Sequence, residues 1–229
     1  METGPQNIRL RVENRMIRNI VFDVGCVLLD YTWRETFGTW YGEEDVRILG
    51  GILFGEDAQE DGRRLWVQYD NGLISDAEIR SASMAALPQY AKALEWFFEN
   101  PAAWAVEQHD MTDLITPLKE KGYGVYLLSN YPETLWKEHV CNKKFYAQAD
   151  GAVVSWEEHL GKPDPAFFRT LLTRYSLTAE ECLFLDDREE NTRAAGELGF
   201  QTLTLKSADA RQEALGLLRA LEKLTGTRN

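Results

Sequence analysis

Cysteine is scarce in this chain: 229 residues hold three, Cys26, Cys141 and Cys182. Their odd number and wide separation exclude a disulfide framework and any cysteine-based metal spacing, which points to a reducing, cytoplasmic setting. Basic side chains are outnumbered, 25 against 37 acidic ones, for a net charge of -12. So acidic a chain lacks the cationic face that nucleic acid or an anionic membrane requires. A phosphorylated substrate stays open, because it needs only one local positive site. Long hydrophobic runs are missing, and none approaches the ~20 residues of a membrane span. The opening METGPQNIRLRVENR is polar, lacks the apolar core of a secretory signal, and reads as a short mobile extension. The three histidines, His109, His139 and His159, fall into no ligand spacing, so structural or surface roles are expected.

What is present is ordinary for a globular protein, with 44% hydrophobic and 27% charged residues. The length fits one domain with a sizeable insertion, or two small ones. Ile20-Val21-Phe22 reads as a short buried strand running into Asp23-Val24-Gly25. From residue 31 to 106 helical spacing dominates, and Ser75-Asp76-Ala77-Glu78 fits a capping box. After Met111, helix and strand alternate. Strands are expected at 123–128, 151–155, 182–185 and 201–205, and helices at 111–121, 165–175, 191–198 and 208–224. That alternation implies an α/β class: a doubly wound parallel sheet, Rossmann-like, with right-handed crossovers. Residues 1–30 and 107–229 would form this core, and 31–106 a helical cap inserted after the first strand, above the polar strand ends.

In such sheets ligands sit beyond the carboxyl ends of the strands. Those ends here carry Asp23, Ser129 with Asn130, and Asp186 with Asp187. Three carboxylates at one sheet edge repel one another unless a cation lies between them, and hard oxygen donors of this kind suit Mg²⁺. The Gly25 carbonyl is a further oxygen donor. Lys162, framed by Gly161 and Pro163 ahead of a helix, can neutralise phosphate oxygens and a carboxylate nucleophile. Ser129 and Asn130 offer a hydroxyl, an amide and backbone N–H groups to the same phosphate.

These four blocks, in this order, resemble the haloacid dehalogenase-like superfamily of phosphohydrolases. Asp23-Val24-Gly25-Cys26-Val27 is similar to its first motif, Ser129-Asn130 to the second, Lys162 to the third, and Asp186-Asp187 with Asn191 to the fourth. The helical insertion resembles the first cap type. A closer resemblance is to bacterial sugar-phosphate phosphatases of the glucose-1-phosphate phosphatase type. They too have glycine at the place of Gly25 and a cap piece like Asn71-Gly72-Leu73-Ile74-Ser75-Asp76.

The resemblance implies that Asp23 attacks phosphorus and forms an aspartyl-phosphate that water hydrolyses. Mg²⁺ would sit against Asp23, the Gly25 carbonyl and Asp187, with Asp186 acting through water or on Lys162. Ser129 and Lys162 would hold the phosphoryl oxygens, and the substrate would be a small phosphorylated metabolite, a sugar phosphate above all. Most phosphatases of this superfamily carry a second aspartate, as acid and base, where this chain has Gly25. Asp30, or a metal-bound or substrate hydroxyl, is the candidate substitute. Trp33 and Arg34 are candidate substrate contacts. Trp33, Phe37 and Tyr41 share a helix face and are expected to pack as cap core, and Cys26 is expected as a small buried filler. A monomer or weak homodimer is expected. Two alternatives remain: a metal-free haloacid dehalogenase, against which the paired Asp186-Asp187 speaks, and a ligand-binding relative without turnover.

Overall fold

Residues 17–54 and 60–223 are described by a computed structural model. The polar opening read as mobile, and Leu224 at the end of the last expected helix, lie outside the described residues. Among the described residues seven strands form in chain order: β1 (Asn19–Phe22), β2 (Leu29–Tyr31), β3 (Ala105–Glu107), β4 (Gly124–Ser129), β5 (Gly151–Val154), β6 (Cys182–Asp186) and β7 (Gln201–Thr204). Five make one sheet in the order β5-β4-β1-β6-β7, with every neighbouring pair parallel.

The two-residue period of a strand explains why this sheet is buried on both faces. Ile20 and Phe22 of β1 join Leu127, Leu183 and Leu185 in one apolar layer. Val21, between them, joins Leu128, Phe184, Phe168 and Phe200 in the opposite layer. The helices Ile115–Glu120 and Ala208–Lys223 contribute Ile115, Leu118, Leu215 and Leu218 to the first layer. The helices Pro165–Arg174 and Glu189–Glu197 contribute Phe167, Leu171, Ala194 and Ala195 to the second. This is the doubly wound architecture expected. Because the chain leaves β1 for β4 on one side and returns to β6 on the other, the sheet reverses its winding at β1. The carboxyl ends of β1, β4 and β6 therefore frame a crevice.

The segment between β2 and β3 is helical, with helices at Trp33–Gly38, Glu43–Phe54, Glu60–Asp70, Asp76–Ala86 and Ala91–Glu99. β2 and β3 pair antiparallel and bracket it as a two-stranded ribbon, which the sequence reading did not anticipate because three residues carry too short a pattern. The capping box at Ser75 forms as expected, with Ser75 and Glu78 satisfying each other's backbone N–H groups. Aromatic rings fill this segment: Phe97 stacks on Trp104 with centroids 4.5 Å apart, and Phe37, Phe54 and Trp66 gather around Phe97. Trp33 and Phe37 are buried as expected, but their helix stops at Gly38. Tyr41 lies beyond that helix, half-buried, and packs on Tyr90 and the same apolar cluster. Among the described residues no helix is long and apolar enough to cross a membrane.

Candidate active site

β1 is a buried apolar strand that ends by delivering Asp23 into the crevice, and the Asp23 N–H is held by the Leu185 carbonyl of β6. Three donors converge on a single oxygen of its carboxylate. The Val24 N–H donates to Oδ1 at 2.6 Å, the Ser129 hydroxyl at 2.9 Å, and the Lys162 ammonium lies 2.9 Å away. Oδ2 has no protein partner among the described residues. Fixing one oxygen and sparing the other leaves a positioned nucleophile or metal ligand.

β6 delivers Asp186, which is fully buried and fully engaged. Its Oδ2 accepts from Lys162 Nζ at 2.7 Å, and its Oδ1 accepts from the Arg188 N–H at 2.8 Å. Asn191 Nδ2 reaches both oxygens, at 2.9 and 3.1 Å. Both Asp186 oxygens are thus engaged by protein donors, which ties this carboxylate to Lys162 and to the loop that follows β6. Asn191 is a hydrogen-bonding brace.

Lys162 is placed by a reciprocal clamp. Asn130 Oδ1 accepts the Lys162 N–H at 2.8 Å, and Asn130 Nδ2 donates to the Lys162 carbonyl at 2.8 Å. The approach requires glycine at 161, where a Cβ would meet Asn130 Oδ1 at 2.6 Å. The amide expected to donate to phosphate is therefore spent on positioning Lys162. Burial pulls the Lys162 ammonium down, but Asp186 and Asp23 outweigh it and its pKa is raised, so the lysine stays charged.

Asp23, Asp186 and Asp187 each offer an oxygen within 4.8 Å of the others. Burial pushes the Asp23 carboxyl up to about 8, with Lys162 pulling it back and Asp186 and Asp187 adding repulsion. The Asp187 carboxyl is raised as well, by burial and then by Asp186. So hard and so electronegative a donor set fits Mg²⁺, and Asp23, Asp187 and the Gly25 carbonyl are the groups that would hold it.

These groups line a cavity of ≈ 440 Å³. The core lines it with Asp23, Gly25, Asn130, Lys162 and Asp187, and the helical segment and its bracketing strands line it with Trp33, Phe54, Trp66, Asp70 and Trp104. Trp33, a candidate substrate contact, thus lines the cavity. Arg34 does not line it: its guanidinium rests 4.3 Å over the Trp33 ring on the exposed side. Asp30 does not line it either. Strand alternation turns Leu29 inward and Asp30 outward, where its carboxylate accepts the Tyr31 N–H. Cys26, expected to be buried, is exposed at the cavity wall with a left-handed backbone, φ 57°.

Three residues were missed from sequence. Tyr31 fills the space above Gly25, and its hydroxyl donates to Tyr131 Oη at 3.0 Å. Tyr131 Oη lies 2.8 Å from His139 Nδ1, and His139 Nε2 lies 2.7 Å from the Pro101 carbonyl. A carbonyl only accepts, so the imidazole proton is on Nε2 and Nδ1 accepts from Tyr131. Burial holds His139 down at about 4, and it is neutral. Asp70 is the third. It ends the helix Glu60–Asp70 one step before the Asn71-Gly72 turn, and a carboxylate beside a turn looks like a solvated cap in sequence.

A family model for haloacid dehalogenase-like hydrolases matches residues 17–199. A sesquiterpene phosphatase of Aspergillus oryzae is 29% identical over 189 residues, covering 81% of this chain and 88% of that protein. A D-ribitol-5-phosphate phosphatase of Bacteroides thetaiotaomicron is 27% identical over 223 residues, 90% of this chain and 100% of that one. A crystal structure of an enzyme of this family from Bacteroides thetaiotaomicron, in complex with magnesium and inorganic phosphate, superposes with a TM-score of 0.63. It is 28% identical and covers 82% of this chain and 93% of that one.

Proposed function

The chain belongs to the haloacid dehalogenase-like hydrolase family, and from that premise we propose that it is a Mg²⁺-dependent phosphatase of a small phosphorylated metabolite. The observation that carries this reading is the Asp23 carboxylate, held through Oδ1 by Val24, Ser129 and Lys162 with Oδ2 spared. A carboxylate needs no base to become a nucleophile at neutral pH once a cation offsets its burial. Asp23 Oδ2 bonds to phosphorus, the ester oxygen leaves, and water then cleaves the aspartyl-phosphate to release inorganic phosphate. Lys162 and Ser129 hold phosphoryl oxygens while charge redistributes, which is where catalysis of this transfer lies. Mg²⁺, held by Asp23, Asp187 and the Gly25 carbonyl, would screen the negative charge of nucleophile and phosphate from each other.

The helical segment 31–106 acts as a cap in this reading, and its aromatic wall of Trp33, Phe54, Trp66 and Trp104 chooses the leaving group. A sugar phosphate fits by stacking the apolar face of its ring on those side chains. A second substrate class, phosphate esters of apolar or aromatic alcohols, is favoured by the same wall, which offers flat apolar surface and a single carboxyl. Separate free cysteines support a cytoplasmic setting. Among the described residues the large exposed hydrophobics are Val67, Leu73 and Val106, too few for an extensive apolar interface, which supports a monomer or weak homodimer.

The test is p-nitrophenyl phosphate hydrolysis with and without Mg²⁺, beside Asp23→Asn. Activity that needs Mg²⁺ and vanishes in Asp23→Asn is the expected result. Wild-type turnover unaffected by removal of divalent metal would overturn the reading. A panel of sugar, prenyl and aryl phosphates then decides between the two substrate classes.

A further inference from the structure

We propose that Asp70, reaching the cavity from the helical segment, is the acid that protonates the leaving oxygen and the base that activates water. The proposal rests on the phosphatase reading above. It begins from a vacancy in the chemistry, since Gly25 supplies no carboxyl where one would be expected to do this work. Nor is there room for one: a Cβ at residue 25 would stand 2.7 Å from the Tyr31 hydroxyl.

Tyr31 itself is poorly suited to donate. Its proton is committed to Tyr131, whose own proton is committed to His139 Nδ1. That chain cannot reverse, because His139 Nε2 faces the Pro101 carbonyl, which has no proton to give. Burial also raises the Tyr31 phenol well above its ordinary value. Asp30 points away, and Asp23, Asp186 and Lys162 are bound to one another.

Asp70 remains, and the fold fixes it. Its backbone carbonyl accepts the Ser155 hydroxyl at 2.5 Å, and the next carbonyl, of Asn71, accepts from His159 Nδ1 at 3.0 Å. Gly72, at φ 63°, lets this helix end close on the core, since a Cβ there would meet the Trp156 carbonyl at 2.9 Å. The Asp70 carboxyl is buried, lines the same cavity as Asp23 and feels its charge, and has no hydrogen-bond partner among the described residues. Burial pushes it up to about 8; Arg188 and Lys162 pull it back and Asp23 adds to the rise. Its place at a helix carboxyl end, the negative pole of the dipole, works in the same direction. Burial thus favours the protonated carboxyl, the form that can donate to an alkoxide.

As the bond from phosphorus to the ester oxygen breaks and Asp23 Oδ2 bonds to phosphorus, the Asp70 proton passes to that oxygen and the alcohol leaves. Asp70, now a carboxylate, takes a proton from water as the water oxygen attacks the phosphorus of the aspartyl-phosphate. The bond from phosphorus to Asp23 breaks, and inorganic phosphate, free Asp23 and protonated Asp70 result.

Two esters separate the steps. p-Nitrophenolate leaves without protonation, whereas phenolate, the more basic group, gains from it. With Mg²⁺ present, Asp70→Asn is expected to lose at least ~10-fold more rate on phenyl phosphate than on p-nitrophenyl phosphate, a part of the ~10²–10⁴-fold that general acid catalysis supplies in full. On p-nitrophenyl phosphate it should release one equivalent of nitrophenolate in a burst, then turn over slowly, because water attack now lacks its base. Asp70→Glu, which keeps the carboxyl, should show no burst, and matched thermal midpoints exclude a folding defect. Equal losses on both esters without a burst, or no loss on either, would overturn the assignment and leave the phosphatase reading standing. A wild type inactive on both, or active without Asp23, would remove that reading and this one with it.

Discussion

The Tyr31 hydroxyl stands 2.7 Å from the point where a side chain on Gly25 would begin. The two residues are six positions apart, on either side of a turn in which Gly25 bridges to Leu29. Tyr31 is held there by its bond to Tyr131 and by the edge of Trp104, 5.6 Å between centroids. The missing carboxylate is thus a built feature of this pocket, with an aromatic ring in its place.

Restoring an ordinary side chain should therefore be costly. Gly25→Ala is expected to lose about 1–3 kcal/mol by overpacking, and Tyr31→Phe, which removes the oxygen that clashes, should recover most of it in the double variant. Urea unfolding of the four proteins gives the coupling directly. Additive losses would mean that Tyr31 does not shape the space at Gly25.

Acid should weaken the protein through His139. The unfolded imidazole protonates near 6.5 and the buried one only at about 4. Between those values the unfolded chain binds more protons, so this contribution is full above pH 6.5 and falls as pH drops through the window. The loss is on the order of 3 kcal/mol. Buried Asp23 and Asp70, whose carboxyls are raised, act in the opposite sense. The measurement is accordingly the stability difference between wild type and His139→Gln, which should shrink from pH 7.5 to pH 4.5. A constant difference would refute the neutral, buried imidazole.

Asn130 should act through Lys162. Asn130→Ala cuts both clamp bonds, and kcat on p-nitrophenyl phosphate is expected to fall ~10²-fold, the scale of a misplaced catalytic group. Asn130→Asp keeps one acceptor for the Lys162 N–H and should be milder. A fall confined to KM would instead make Asn130 a direct phosphate ligand.

Magnesium should stabilise the folded state without any substrate. Binding to the native protein alone adds about 2.7 kcal/mol at a concentration 100 times Kd, so Mg²⁺ should raise the thermal midpoint and EDTA reverse the rise. Asp187→Asn should abolish the shift while the protein still folds. Asp186→Asn is predicted to lose stability through Lys162, whose close ion pairs among the described residues then fall from two to the one with Asp23.

Much of this molecule was legible along the chain. Strand–helix alternation, the apolar β1 and β6, and the polar ends Asp23, Ser129 and Asp186-Asp187 announced the parallel sheet and the crevice, because strand periodicity and burial are local properties of sequence. Lys162 was legible through its glycine and proline neighbours. What the sequence left undecided depends on contacts between distant segments. Whether Asn130 met phosphate or the Lys162 backbone turned on a loop 32 residues away. Asp30 and Asp70 are both carboxylates near turns; the pairing of β2 turns the first to solvent, and the docking of the helical segment, pinned by Ser155 and His159, brings the second to the cavity that Asp23 lines. The chemistry carried on strand ends is determined by the sequence itself. Its proton traffic, set by burial and by which groups are already paired, is decided by the tertiary structure, since both quantities exist only after the chain has folded.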